Sequence, residues 1–309
     1  MVRLLALAIG LALVLPVHGA ARELAQFVAN TAVFLLFFLN GLRLPRHEVR
    51  AGIGNHRLLW PLVSWVFGGM AAAGWLLWQG GQGWMPTLLA LGFLYLGCLP
   101  STVQSATAYS SLAGGNVASS VVAAALLNIL GVFITPPLFS LLAGSGAAEF
   151  HAEGLLKVVT ILLIPFLLGQ AMQGRLGQWV AGHRQLVTRM DRTSIAIAVY
   201  VAFSGAVEQR FWERVDLAGW LWLAGGTAVF LLLGHFGAWL LGGAMRLDRA
   251  NRISFLFAGA QKSVAMGAPL ATVLFPPSAA GIVLLPILLY HLVQLVIAAP
   301  IAARLNPPG

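Results

Sequence analysis

Charge is the scarcest property of this chain: 9% of its 309 residues are charged, and only nine of them are acidic. Against 59% hydrophobic residues and a mean hydropathy of +0.87, that excludes a soluble globular domain and leaves a polytopic membrane protein. A single cysteine, Cys98, excludes an internal disulfide, and no N-x-S/T sequon occurs. No H-E-x-x-H, no G-x-S-x-G and no pair of membrane carboxylates is present, so an enzyme is not expected. No short-period repeat or low-complexity tract interrupts the chain.

Apolar runs long enough to cross a hydrocarbon core of ~30 Å recur along nearly the whole length. They predict an all-α bundle of ten spans: 3–18, 25–43, 58–78, 84–113, 117–143, 153–174, 193–208, 217–244, 251–275 and 280–303. The first segment also reads as a cleavable signal peptide, with Arg3, apolar Leu4 to Leu15, Pro16 and small residues to Ala21. Ten spans are retained because each span of the first half then has a partner in the second.

A net charge of +9 in a soluble protein would suggest nucleic acid, but here the arginines sit in short loops. Arg43, Arg46, Arg50 and Arg57 follow span two, Arg175, Arg184, Arg189 and Arg192 follow span six, and Arg246, Arg249 and Arg252 follow span eight. With Arg3 and Arg304 they share one face, opposite Arg22, Arg210 and Arg214, so both termini are expected in the cytoplasm, in a plasma membrane or bacterial inner membrane. No nucleic-acid partner is expected, and the surrounding partner is membrane lipid.

Weak internal symmetry joins the halves. Asn40-Gly41 finds Ser204-Gly205, Gln104 finds Gln261 and Pro137 finds Pro300, at near-constant separations. One integral membrane domain is expected, made of two inverted five-span repeats over about 1–145 and 150–309.

Two spans carry polar residues where apolar ones are the rule. Span four holds Pro100 followed by Ser101, Thr102, Gln104 and Ser105. A proline removes one backbone donor and blocks the carbonyl a turn earlier, so the helix should break near Leu99. The hydroxyls either repair that kink or line a site. Span nine holds Gly259, Gln261, Lys262 and Ser263, then Gly267 and Pro269. Two interrupted spans at matching places point to a transporter binding site.

Lys262 costs about 2.5–3.5 kcal/mol at mid-membrane by insertion scales, so something must offset it. It either snorkels, exchanges a proton, pairs with an anionic solute or stands in for a bound metal cation. All nine acidic residues fall in loops or at span ends: Glu23, Glu48, Glu149, Glu153, Asp191, Glu208, Glu213, Asp216 and Asp248. Lesser candidates are Asn128, His235 and the shared helix face of Tyr290, His291 and Gln294. Trp60, Trp65, Trp75, Trp78 and Trp84 read as belt or packing residues, and Gly68, Gly69 and Ala71 to Gly74 as a close helix contact.

The run Leu99-Pro100-Ser101-Thr102-Val103-Gln104-Ser105, with Gly115-Asn116-Val117, Thr135-Pro136, Gln261-Lys262-Ser263, Pro269-Leu270-Ala271, Leu285-Pro286 and Leu289-Tyr290-His291, resembles the SBF-like branch of the bile acid:sodium symporter superfamily. The resemblance implies discontinuous, crossing spans four and nine, with a core of spans three to five and eight to ten moving against a panel of spans one, two, six and seven. In sodium-coupled relatives a Glu-x-Gly-x-Gln-Asn stretch in span nine, a polar stretch in span four and hydroxyls in span five hold two sodium ions. Gly259 and Gln261 match that stretch, but Phe257 stands at the glutamate position and Lys262 at the asparagine position. Span five reads Ala124-Ala125-Leu126-Leu127, with Asn128 its polar survivor.

The reading is a secondary active transporter of a small organic, anionic solute working by alternating access. Ser101, Thr102, Gln104, Ser105, Asn128, Gly259, Gln261, Lys262, Ser263 and His291 are its candidate site. No cofactor or metal ligand is assigned. Lys262 replaces sodium or carries a coupling proton. The rival is a non-transporting regulator or scaffold that binds a lipid or protein partner.

Overall fold

The computed structural model describes residues 2–43, 56–144, 156–157 and 159–305. Arg46, Glu48, Arg50, Glu149 and Glu153 lie outside them. Among the described residues no strand forms, as apolar spans demand: in hydrocarbon a helix satisfies its own backbone groups.

The helices are α1 (Val2–Val14), α2 (Ala20–Arg43), α3 (His56–Ser64), α4 (Met70–Gly81), α5 (Thr87–Cys98), α6 (Val103–Leu112), α7 (Val117–Ala143), α8 (Ile164–Gly182), α9 (Arg184–Glu208), α10 (Leu217–Ala244), α11 (Arg249–Ala260), α12 (Val264–Leu274) and α13 (Pro277–Leu305). π-helical turns Trp65–Gly69 and Val159–Leu163 lead into α4 and α8. Six stretches are long and apolar enough to cross a membrane among the described residues, and α5 with α6, bent by 61°, makes a seventh. Their number, length and apolar character mark a polytopic membrane protein.

Several expected boundaries move. The first helix ends at Val14 instead of continuing to 18, because Leu15 precedes Pro16 and a residue before proline is driven out of the α region. The seventh begins at Arg184, and its charged first turns keep it out of the six.

The chain divides into two compact units. The first comprises Met1–Arg46, Ala143–Asp216 and Gly267–Leu284. Within it α2 and α8 touch backbone to backbone: a Cβ on Gly41 would lie 2.2 Å from Phe166 O, and one on Gly169 2.2 Å from Phe38 O. Small residues allow such approach in a membrane, where packing replaces the hydrophobic effect. Arg43 pairs with Asp191, and Arg22 with Glu208, tying both ends of α2 to α9.

The second unit comprises His47–Leu142, Leu217–Met266 and Leu285–Gly309. Here α4 and α5 meet through Gly74 and Gly97, where a Cβ would lie 2.5 Å from Phe93 O and 2.7 Å from Met70 O. The expected small-residue contact is thus made by Gly74; Gly68 is exposed with open space around it, and Gly69 packs on the Trp65 ring. All the candidate site residues belong to this unit.

Candidate functional site

Both expected breaks are present. α5 stops at Cys98, Leu99 and Thr102 are extended, and α6 restarts at Val103. α11 stops at Ala260, Gln261 is extended, and α12 restarts at Val264. The two breaks touch: Ser263 N–H donates to Pro100 O at 3.0 Å. Ser263 Oγ also accepts from Met266 N–H at 3.2 Å, the N-cap bond that opens α12.

A broken helix in a membrane must find partners for its freed carbonyls, and the first break does so at five successive residues. Gly97 O accepts from Lys262 Nζ at 2.9 Å, Cys98 O from Thr135 Oγ1 at 2.8 Å, and Leu99 O from Lys262 Nζ at 2.7 Å. Pro100 O takes Ser263 N–H, and Ser101 O takes Asn128 Nδ2 at 2.7 Å. The kink is therefore repaired from α7 and from the second break, leaving its own hydroxyls for other work.

Lys262 is fully buried. A third carbonyl, Val66 O, accepts from Nζ at 3.3 Å, so three acceptors surround a group with three N–H donors in its ammonium form. No carboxylate among the described residues pairs with it. The lysine does not snorkel. Its backbone is held as well: Gln294 Oε1 accepts from Lys262 N–H at 2.8 Å, and Gln294 Nε2 donates to Lys262 O at 3.0 Å, as a neighbouring strand would. The same Nε2 donates to His291 Nδ1 at 2.8 Å, and Tyr290 Oη donates to Ala260 O at 2.5 Å.

The remaining candidates fall into two groups. Ser105 Oγ donates to Gln261 Oε1 at 2.8 Å and bonds Thr102 Oγ1, which joins the first turn of α6 to the second break. Gln261 is fully buried, yet its Nε2 has no partner among the described residues, and neither does Ser101 Oγ. Gln104, by contrast, is exposed and outside this network, one position from the residue that reaches Gln261. Gly259 is a packing position: a Cβ there would lie 2.9 Å from Trp65 Cδ1. His235 is buried with Nδ1 on Leu231 O at 2.9 Å, and Phe257 is fully buried against Tyr109.

Residue-by-residue reading missed Val66 and Thr135 as partners of the break. A carbonyl carries no sequence signal, and Thr135 looked only like part of a Thr-Pro motif. Gln294 was detectable, since its spacing from Tyr290 and His291 put all three on one helix face.

The arrangement can present two helix N-termini, those of α6 and α12, beside an unpartnered buried amide, while Lys262 Nζ lies among three backbone carbonyls. A family model described as SBF-like CPA transporter family matches residues 1–307. The putative symporter YfeH of Escherichia coli is 35% identical over 294 residues, 94% of this chain and 87% of the relative. An uncharacterized protein of Pseudomonas aeruginosa, PA2026, is 36% identical over 295 residues, 95% of this chain and 89% of the relative. The mouse protein named sodium/bile acid cotransporter 7 is 22% identical over 296 residues, 92% of this chain and 84% of the relative.

Proposed function

The chain belongs to the SBF-like CPA transporter family, and we propose that it is a secondary active transporter of a small organic anion in which the Lys262 ammonium is a built-in cation. Alternating access operates around the two breaks, within a ten-span fold of two inverted halves whose termini both lie in the cytoplasm. Arginine-rich loops on one face and the paired breaks support that architecture.

One observation carries the reading: all three donors of the Lys262 ammonium are spent on Val66 O, Gly97 O and Leu99 O. A side chain so occupied is not free to grip a solute. It does what a coordinated cation would do, neutralising carbonyl dipoles that a broken helix turns inward. The mouse relative is named for sodium, but the residues here do not fit that ion at this place. The ammonium fills the carbonyl cage, and Phe257 stands where a carboxylate ligand is implied.

The solute then meets the helix N-termini of α6 and α12 and the free amide of Gln261, all of which favour an acceptor-rich, negatively charged group. Ser105 and Thr102 orient that amide. Proton coupling through Lys262 would require the ammonium to leave three carbonyls unpaired on each cycle, which favours a lysine that stays charged.

The test is a thermal-shift screen of small organic anions on the purified protein, with sodium and with choline, followed by counterflow of the best ligand in proteoliposomes. The reading expects stabilisation and flux that do not change when choline replaces sodium. Ligand binding without flux would instead assign the chain to a regulator or scaffold.

A further inference from the structure

The third acceptor of the Lys262 ammonium comes from a helix interior, where carbonyls are ordinarily spoken for. Val66 lies in the π-helical turn Trp65–Gly69, between α3 and α4. In an uninterrupted α-helix the Met70 N–H would donate to Val66 O, four residues back. Here Met70 N–H donates to Trp65 O instead, five residues back. The wider turn strands Val66 O, and that is the oxygen found 3.3 Å from Lys262 Nζ. π-Turns inside helices recur at functional sites because they release a backbone group in this way.

What holds the turn is the side chain that opens it. The Trp65 indole lies in a slot made by three glycines. A Cβ on Gly69 would lie 2.7 Å from Trp65 Cε3, one on Gly237 of α10 would lie 2.2 Å from Cη2, and one on Gly259 of α11 would lie 2.9 Å from Cδ1. No larger residue fits at Gly237 or Gly259 without moving the ring. The indole therefore ties the turn to α10 and to the last turn of α11, which ends one residue before Gln261 and two before Lys262.

We propose that Trp65 is a positioning residue: it locks the π-turn so that Val66 O completes a three-carbonyl cage sized for an ammonium group. This rests on the reading of Lys262 as a built-in cation, and goes beyond it in assigning the cage to a tryptophan whose Nε1–H has no hydrogen-bond partner among the described residues. Without the indole the segment can return to α register, Met70 N–H recovers Val66 O, and the cage falls to two carbonyls.

The test uses purified full-length protein and the probe propylammonium, which replaces the side-chain atoms that Lys262→Ala removes, with 1-propanol as the uncharged control. Propylammonium should raise the melting temperature of Lys262→Ala by at least about 2 °C, and 1-propanol should not. In Lys262→Ala/Trp65→Ala the concentration for half-maximal stabilisation should rise about tenfold or more, the loss of one hydrogen bond to a charged group. Lys262→Ala/Gly237→Ala, which displaces the indole without removing it, should behave alike and serves if the tryptophan variant does not fold. Undiminished stabilisation in the double variants would overturn the role of Trp65. No stabilisation of Lys262→Ala, or an equal effect of 1-propanol, would overturn the built-in cation and the cage with it.

Discussion

Lys262 Nζ donates at 2.7 Å to the carbonyl of Leu99, the residue at which the fourth span leaves its helix ahead of Pro100. A proline and a lysine that each look destabilising in an apolar span thus offset one another. Pro100 frees carbonyls, and Lys262 needs acceptors.

Removing the lysine should expose that dependence. Lys262→Met leaves Val66 O, Gly97 O and Leu99 O without their donor, and an unpaired buried carbonyl costs about 1–3 kcal/mol, so a loss on the order of 3 kcal/mol or more is expected in thermal unfolding. Lys262→Arg should not rescue it, because a planar guanidinium cannot aim at three converging carbonyls as an ammonium does.

Gln294 should matter nearly as much. Gln294→Leu unpairs both the N–H and the carbonyl of Lys262, at a cost on the order of 2 kcal/mol or more by the same reasoning. Gln294→Glu keeps an acceptor for the N–H but loses the donor to Lys262 O and His291, so an intermediate melting temperature is expected.

Ser105 and Gln104 separate by function. Ser105→Ala frees the Gln261 amide to rotate, and with one hydrogen bond worth about 1 kcal/mol the KM for the transported anion should rise about fivefold with little change in the maximal rate. Gln104→Ala should leave the melting temperature within the scatter of ordinary surface changes, because the side chain is exposed and outside the network.

The N-terminus of α11 supplies a pH test away from the spans. The backbone and side-chain amides of Asn251 donate to the Asp248 carboxylate and hold it below its ordinary value of 3.8. A carboxyl depressed on folding contributes stability above its unfolded value and loses it as pH falls through the folded one. Asp248→Ala should therefore melt below wild type at pH 7, by about 1 kcal/mol for a lost N-cap, and the gap should narrow at pH 3. A gap that stays constant would mean the charge contributes nothing.

Both breaks were legible in the sequence because they violate a strong rule: Pro100 and Lys262 do not belong in uninterrupted apolar helices. The family followed from the same residues. Gln104 and Ser105 were both candidates; helical geometry aims Ser105 at Gln261 and turns Gln104 outward. The π-turn was invisible. Gly68 and Gly69 beside Trp65 read as ordinary small-residue packing, and a one-residue change of hydrogen-bond register leaves no pattern in side-chain identity. Its consequence, a free Val66 carbonyl, is a backbone property that composition cannot report.

Sodium binding to the wild-type protein tests the central claim most directly. Isothermal titration of sodium chloride into purified protein, against choline chloride at matched ionic strength, should give no saturable heat, because the Lys262 ammonium already fills the carbonyl cage. A saturable sodium isotherm with the lysine in place would contradict the account.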